Sequence, residues 1–276
     1  MNTVRALSSV VAIALLPALS HAQTLRAECD NRSGTTLANL SNSSGNPNTN
    51  GYNIDPSAMY ITINGPFNSS QTSGSNSAVA NLSVKSQFFG TNPATRMYAF
   101  TSTVTGSATV HRTSLTAMAE SQDNTSICVA VSGASASTPE KVRIVASSTL
   151  TGSAATASFR FSDPANSNII SLSGNDSINR VLHLTSNGNY TFQMQGDTTE
   201  LNVSTGTATV ADTFSNAAAI TCVADYNADG AVTVQDIFSF LSAWFAKTIG
   251  ADTNADGNIT VQDIFEFLNA WFTGCS

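Results

Sequence analysis

Apolar positions follow two different rhythms along this chain. From residue 23 to about residue 215 they alternate with polar ones in short runs, among them Met59 to Ile63, Lys141 to Thr149, Ser158 to Phe161, Arg180 to Leu184 and Asn189 to Gln195. A period of two places one side of a strand on a core and the other in water. Turn-forming pairs separate the runs: Gly65-Pro66, Asn92-Pro93, Asp163-Pro164, Gly174-Asn175 and Asn187-Gly188. About ten strands with hardly a helical signal predict a mainly β domain, a β-sandwich with the jelly roll as one possible topology. Asn39 to Asn50 and Asn68 to Asn76 read as long polar loops.

Near the C-terminus the rhythm becomes helical. Ile237, Phe238, Leu241, Trp244 and Phe245 recur as Ile264, Phe265, Leu268, Trp271 and Phe272, at spacings that stack on one helix face. With Phe240 and its counterpart Phe267 added, each set covers roughly 160° at 100° per residue, wider than the stripe one neighbouring helix buries. Ile237, Phe238, Leu241 and Phe245 are expected between two antiparallel helices. Phe240, Trp244, Phe267 and Trp271 fall at the edge of the arc, where exposed aromatics mark an interface.

The helices belong to a longer repeat. ADYNADGAVTVQDIFSFLSAWF and ADTNADGNITVQDIFEFLNAWF align without a gap, Asp225 recurring 27 residues later as Asp252. Each copy opens with DxNxDG: Asp225, Asn227, Asp229, Gly230, and then Asp252, Asn254, Asp256, Gly257. Calcium takes six to eight oxygen ligands, and a twelve-residue loop supplies them from alternating positions as the backbone winds round the ion. Glycine at the sixth place permits the sharp turn. The seventh residue, Ala231 or Asn258, offers its backbone carbonyl; Thr233 and Thr260 stand at the ninth place, reaching an ion through water or capping the following helix. Asp236 and Asp263 close the two shells from the first helical turn, so two calcium ions are expected.

Aspartate at the loop end, the unit of one loop and one helix, and two tandem copies at the chain terminus together resemble dockerin domains, in the variant that finishes on Gly274-Cys275. The resemblance covers roughly residues 222 to 276. It implies a small all-α calcium-binding module that attaches its protein to a cohesin-like or other scaffold or surface protein, and it brings polysaccharide as a possible further ligand. Dockerins select partners with helix residues next to the loop end, which are Val234-Gln235 and Val261-Gln262 here. These pairs depart from the Ser/Thr and Lys/Arg pattern of well-known cellulosomal members.

Composition bounds the remaining possibilities. Arg5, the apolar run Leu7 to Leu16 and Ser20-His21-Ala22 read as a signal peptide over 1–22, giving a secreted protein. The divisions expected are a β-sandwich over 23–215, a linker over 216–221 and the calcium-loop module over 222–276. Seven of the 18 acidic residues lie in the tail against one base, Lys247, so most of the net charge of −7 is local to it. Such a surface repels nucleic acid and anionic lipid. Cys29, Cys128, Cys222 and Cys275 allow three pairings, and the domain division favours Cys29 with Cys128 and Cys222 with Cys275. No GxSxG, HExxH or phosphate-cradling glycine loop occurs. The scattered acids Glu28, Glu120, Glu140 and Glu200 leave a glycoside hydrolase as the enzymatic alternative, and Tyr52, Tyr60, Tyr98, Phe100, Tyr190 and Phe192 are candidates for an aromatic sugar platform. The favoured expectation is a non-catalytic β domain anchored through its tail.

Overall fold

The protein is described here by a computed structural model over residues 24–40, 47–54, 60–90, 99–202 and 208–275. Twelve strands are described: β1 (Thr24–Leu40), β2 (Asn48–Asn53), β3 (Ile63–Ser73), β4 (Asn76–Phe89), β5 (Ala99–Arg112), β6 (Ala117–Ser132), β7 (Glu140–Thr151), β8 (Ala155–Ser162), β9 (Asn168–Ser173), β10 (Asp176–Leu184), β11 (Gly188–Asn202) and β12 (Ala208–Cys222). They form two antiparallel six-stranded sheets, in the orders β2-β1-β6-β11-β8-β9 and β10-β7-β12-β5-β4-β3. Two helices follow, α1 (Val234–Phe245) and α2 (Val261–Thr273). The expected signal peptide, 1–22, and Tyr98 lie outside the described residues.

Strict alternation builds the strands. On β4, Ala78, Ala80, Leu82, Val84 and Phe88 face inward while Ser77, Asn81, Ser83 and Lys85 face out. The core between the sheets is rich in phenylalanine: Phe100 packs edge-on against Phe192 at 5.4 Å, and Phe192 meets Phe159 at 5.0 Å. Phe214 lies between Gly106 and Gly196, where an added Cβ would come within 2.1 and 2.2 Å of its ring. Either glycine is therefore the cavity that Phe214 fills. The cross-strand disulfide Cys29–Cys128 joins β1 to β6, and Cys222–Cys275 ties the end of β12 to the residues beyond α2. This is the pairing that the domain division favoured.

Two expectations are corrected. Residues 216–221, read as a linker, are the second half of β12 and pair with β5 on one side and β7 on the other. Asn68 to Asn76, read as a loop, is the end of β3, the turn and the first residue of β4 in the β3–β4 hairpin. The segment lacks apolar alternation because its inward positions are polar: buried Ser69 exchanges hydrogen bonds with Thr36 from β1.

A polar network crosses the core. Fully buried Arg32 donates to both carboxylate oxygens of Asp30 (2.6 and 2.5 Å), to Ser86 Oγ (2.9 Å) and to the Ile61 carbonyl (2.6 Å). The Tyr52 hydroxyl donates to Asp123, whose other oxygen accepts from Thr125. Burial raises the Asp123 carboxyl to about 7, against 3.8 in an open chain. Below pH 7 the folded state thus holds a proton that the unfolded state releases, and stability grows as the pH falls from 7 toward 4 and is lost as it rises through 7. Between pH 8 and 5, urea denaturation is expected to show wild-type stability rising by up to about 1.4 kcal/mol per pH unit below 7. Asp123→Asn should flatten that rise, and equal slopes in the two proteins would refute the assignment.

Candidate metal loops and the helical face

Each loop is organised by its own carboxylates before any ion is considered. In the first, Asp225 accepts from the backbone N–H groups of Asp229 (3.1 Å) and Gly230 (3.0 Å), Asn227 Oδ1 from Asp229 N–H (3.0 Å), and Asp229 from Ala231 N–H (2.9 Å). In the second, Asp252 accepts from Asp256 (3.1 Å) and Gly257 (2.8 Å), Asn254 from Asp256 (3.0 Å), and Asp256 from Asn258 (2.7 Å). Ala228 and Ala255 take φ of 60° and 56°, and Gly230 and Gly257 take 87° and 85°. An alanine in the left-handed region costs roughly 1 kcal/mol, and both loops carry that strain at the same place.

The closing aspartates join loop to helix. One oxygen of Asp236 accepts from Thr233 N–H (2.8 Å) and the other reaches back to Asn227 N–H (3.0 Å). Asp263 repeats this with Thr260 (2.8 Å), Thr253 (2.9 Å) and Asn254 (3.3 Å). Thr233 and Thr260 form capping boxes with Asp236 and Asp263 at the start of α1 and α2, and their hydroxyls also accept from the Gln235 and Gln262 N–H groups. Each threonine is thus a helix cap.

The charge of these loops is unbalanced. Asp225, Asp236, Asp252 and Asp263 are buried, and among the described residues none of them forms an ion pair with Lys or Arg. Burial, with Asp236 and Asp229 nearby, raises Asp225 to about 6. Among the described residues no group of three or more His, Cys, Asp or Glu side chains converges as a preformed metal cage. The donor set is a mixed one of carboxylate, Asn amide and backbone oxygens. Buried carboxylates that form no direct ion pair among the described residues, held in an all-oxygen loop, fit a hard divalent cation.

The helices pack differently from the sequence expectation. Phe240 and Phe267, expected at an exposed edge, are fully buried and stacked at 4.2 Å, with Tyr226 edge-on to both at 5.5 and 5.9 Å. Phe238 and Phe245, expected in the core, are 62% and 74% exposed; Phe265 and Phe272 are 63% and 78% exposed. The arc has two flanks, and its width alone does not say which one is covered. Tyr226 and Val181 of β10 supply a wall that covers the Phe240 flank. Trp244 and Trp271 are half-buried bridges between the repeats: Trp244 Nε1 donates to the Thr260 carbonyl (2.7 Å) and Trp271 Nε1 to the Thr233 carbonyl (2.9 Å). Val234, Gln235, Val261 and Gln262 are exposed beside the exposed phenylalanines.

The module is seated on the sheets by residues that no sequence motif singled out. Arg143 of β7 donates to the Tyr226 carbonyl and, through Nε, to Asn179 Oδ1 (2.9 Å), with its guanidinium 3.8 Å from the Tyr226 ring centroid. Lys141 pairs with Glu266, and Lys247 lies 4.1 Å over the Trp244 ring. In the sandwich, Phe100, Tyr190 and Phe192 are core residues, and Tyr52 and Tyr60 pack against that core. These five therefore build no sugar platform. Glu28 pairs with Arg26, whereas Glu120 and Glu200 occupy opposite faces of one sheet. No helix among the described residues is long and apolar enough to cross a membrane.

No family model matches the chain, and no curated protein does. Among solved structures, the enzymatically active domain of bacteriophage CBA120 tailspike protein 4 aligns at 12% identity with a TM-score of 0.10, over 56% of this chain and 18% of that one. The chain thus spans less than a fifth of that protein's domain, and a likeness at this level carries no argument.

The two flanks of the helical arc differ in stability. Phe240→Ala and Phe267→Ala are each expected to cost roughly 3 to 5 kcal/mol, and Phe238→Ala and Phe265→Ala less than about 0.5 kcal/mol. Denaturant titration followed by helical circular dichroism checks this, and equal losses would contradict the packing described.

Proposed function

We propose that the C-terminal module is a calcium-dependent docking module of the dockerin type that attaches a secreted, non-catalytic β-sandwich to a cohesin-like or other scaffold or surface protein. Asp225, Asn227, Asp229, the Ala231 carbonyl and Asp236 would hold one ion; Asp252, Asn254, Asp256, the Asn258 carbonyl and Asp263 would hold the other. Calcium bound there would cancel the loop charge and fix each loop to its helix.

One observation carries the docking half of this reading. The small module leaves four phenylalanines 62% to 78% exposed, two at matching places on each helix. Exposed apolar surface of this kind, repeated on both copies and flanked by Val234 and Val261, favours a macromolecular partner over solvent. The alternative of a polysaccharide-binding or polysaccharide-degrading protein lacks an equivalent observation.

Titration calorimetry of the whole chain with Ca2+ is expected to give two ions per molecule, and no uptake would remove the calcium half of the reading. Phe238→Ser with Phe265→Ser should leave that uptake intact and reduce calcium-dependent capture of the extracellular partner at least about tenfold, as expected for central interface aromatics. Undiminished capture would remove the docking half.

A further inference from the structure

The two loops carry the same residues at every proposed side-chain ligand position yet sit in unequal surroundings. The first reaches into the sandwich at Tyr226 and Gly230, while Asn227, Asp229 and Ala231 stay exposed. Gly230 is buried under Phe89, at the end of β4, so closely that an added Cβ would lie 2.2 Å from the ring. Tyr226, between the ligand positions 225 and 227, is held through its carbonyl and its ring by Arg143. Thr221 of β12 donates to the Asp225 carbonyl (3.2 Å). Asn179 of β10 receives Arg143 Nε and also abuts Gly250 in the connection between the repeats, where a Cβ would come within 2.5 Å of its side chain.

The second loop is open. Asn254 is half-buried, residues 255–258 are exposed, and a Cβ built on Gly257 would meet nothing within 4 Å. Its inward anchor is Thr253, which bonds within the repeat to Asp263 and whose backbone meets His183 of β10.

We propose that Arg143 and Phe89 make the first loop part of the sandwich, so that cation binding there and folding of the two sheets form one coupled equilibrium, whereas the second loop, whose turn at residues 255–258 stands clear of the sheets, is coupled to them more weakly. This rests on the calcium reading above. A ligand that binds only the native state stabilises whatever unfolds together with its site. Arg143 acts as a positioning residue in this coupling: it fixes the backbone between two ligand positions and has no place in the ligand set itself.

The test uses the whole chain, with Ca2+ alone as the probe and a chelator as the reference. Sheet unfolding is followed by circular dichroism and ion uptake by calorimetry. In the wild type a hundredfold excess of Ca2+ over Kd is expected to raise the sheet melting temperature by about 5 to 10 °C. Asp256→Ala should keep most of that shift, and Asp229→Ala should lose most of it. Arg143→Lys, which retains the charge, should keep two-ion uptake while the sheet transition stops following Ca2+. The glycines give a control that needs no ion. Gly230→Ala and Gly257→Ala incur the same backbone strain, so a sheet melting temperature lower in Gly230→Ala by about 3 °C or more reads the Phe89 contact alone.

Equal calcium shifts in the two aspartate variants, an undiminished shift in Arg143→Lys, or equal melting of the two glycine variants would overturn the coupling. Two-ion uptake with an unmoved sheet transition overturns the coupling while leaving the calcium reading standing. Absence of ion uptake by the wild type overturns both.

Discussion

Tyr226 stands where three parts of the molecule meet, and the position of the helical module depends on how it is held. Its ring faces the Arg143 guanidinium at 3.8 Å and turns its edges to the stacked pair Phe240 and Phe267. Its carbonyl accepts from the same guanidinium. Burying an arginine costs several kcal/mol unless its donors and its charge are met. Here the carbonyl and Asn179 meet donors, and the ring meets the charge, a contact worth on the order of 2 kcal/mol when desolvated. Burial lowers the Arg143 pKa, and Tyr226, Asp225 and Asp236 act in the opposite direction. Losing either partner of the Arg143–Tyr226 pair would leave the other buried without compensation, so the contact specifies one seating of the module.

The chain manages buried charge in two contrasting ways. Inside the sandwich, Asp30 and Arg32 form a closed pair, with two further guanidinium donors taken by Ser86 and the Ile61 carbonyl. In that pair each charge meets its opposite. In the loops the carboxylates receive N–H donors, which organise them without cancelling their charge. In the first loop Asp236 and Asp229 both push the Asp225 carboxyl up. This repulsion is a physical reason for favouring a divalent cation there, and a neutral network would have given none.

What could be read from the sequence was local. The DxNxDG turns, the T-x-x-D caps and the helices behind them depend on residues within about one turn of one another, and they appear in both copies with matching hydrogen bonds. The alternating strands were legible for the same reason. What escaped depended on distant partners. Which flank of the helical arc is covered is set by Val181 and Tyr226, and nothing in the heptad-like spacing of Phe238, Phe240 and Phe245 encodes that wall. The β3 strand was hidden because Ser69 and Gln71 face inward as polar residues, satisfied by Thr36 and by Leu40 N–H from β1. Residues 216–221 looked like a linker because Ala217, Ala218 and Ala219 are small, although they form the middle strand of three.

That last correction changes what attachment through the tail would mean. Between Cys222, the final residue of β12, and Asp225, the first proposed ligand position, only Val223 and Ala224 intervene, and both are buried. Cys275 is bonded back to Cys222, so the far end of α2 is tied to the same point. A flexible linker lets an anchored domain sample many orientations, and its reach grows as the square root of its length. A strand that runs directly into the first loop has no such reach. Any partner seated on Phe238, Phe245, Phe265 and Phe272 would therefore stand in a set orientation to both sheets, and the module would present the sandwich as a rigid part of the assembly.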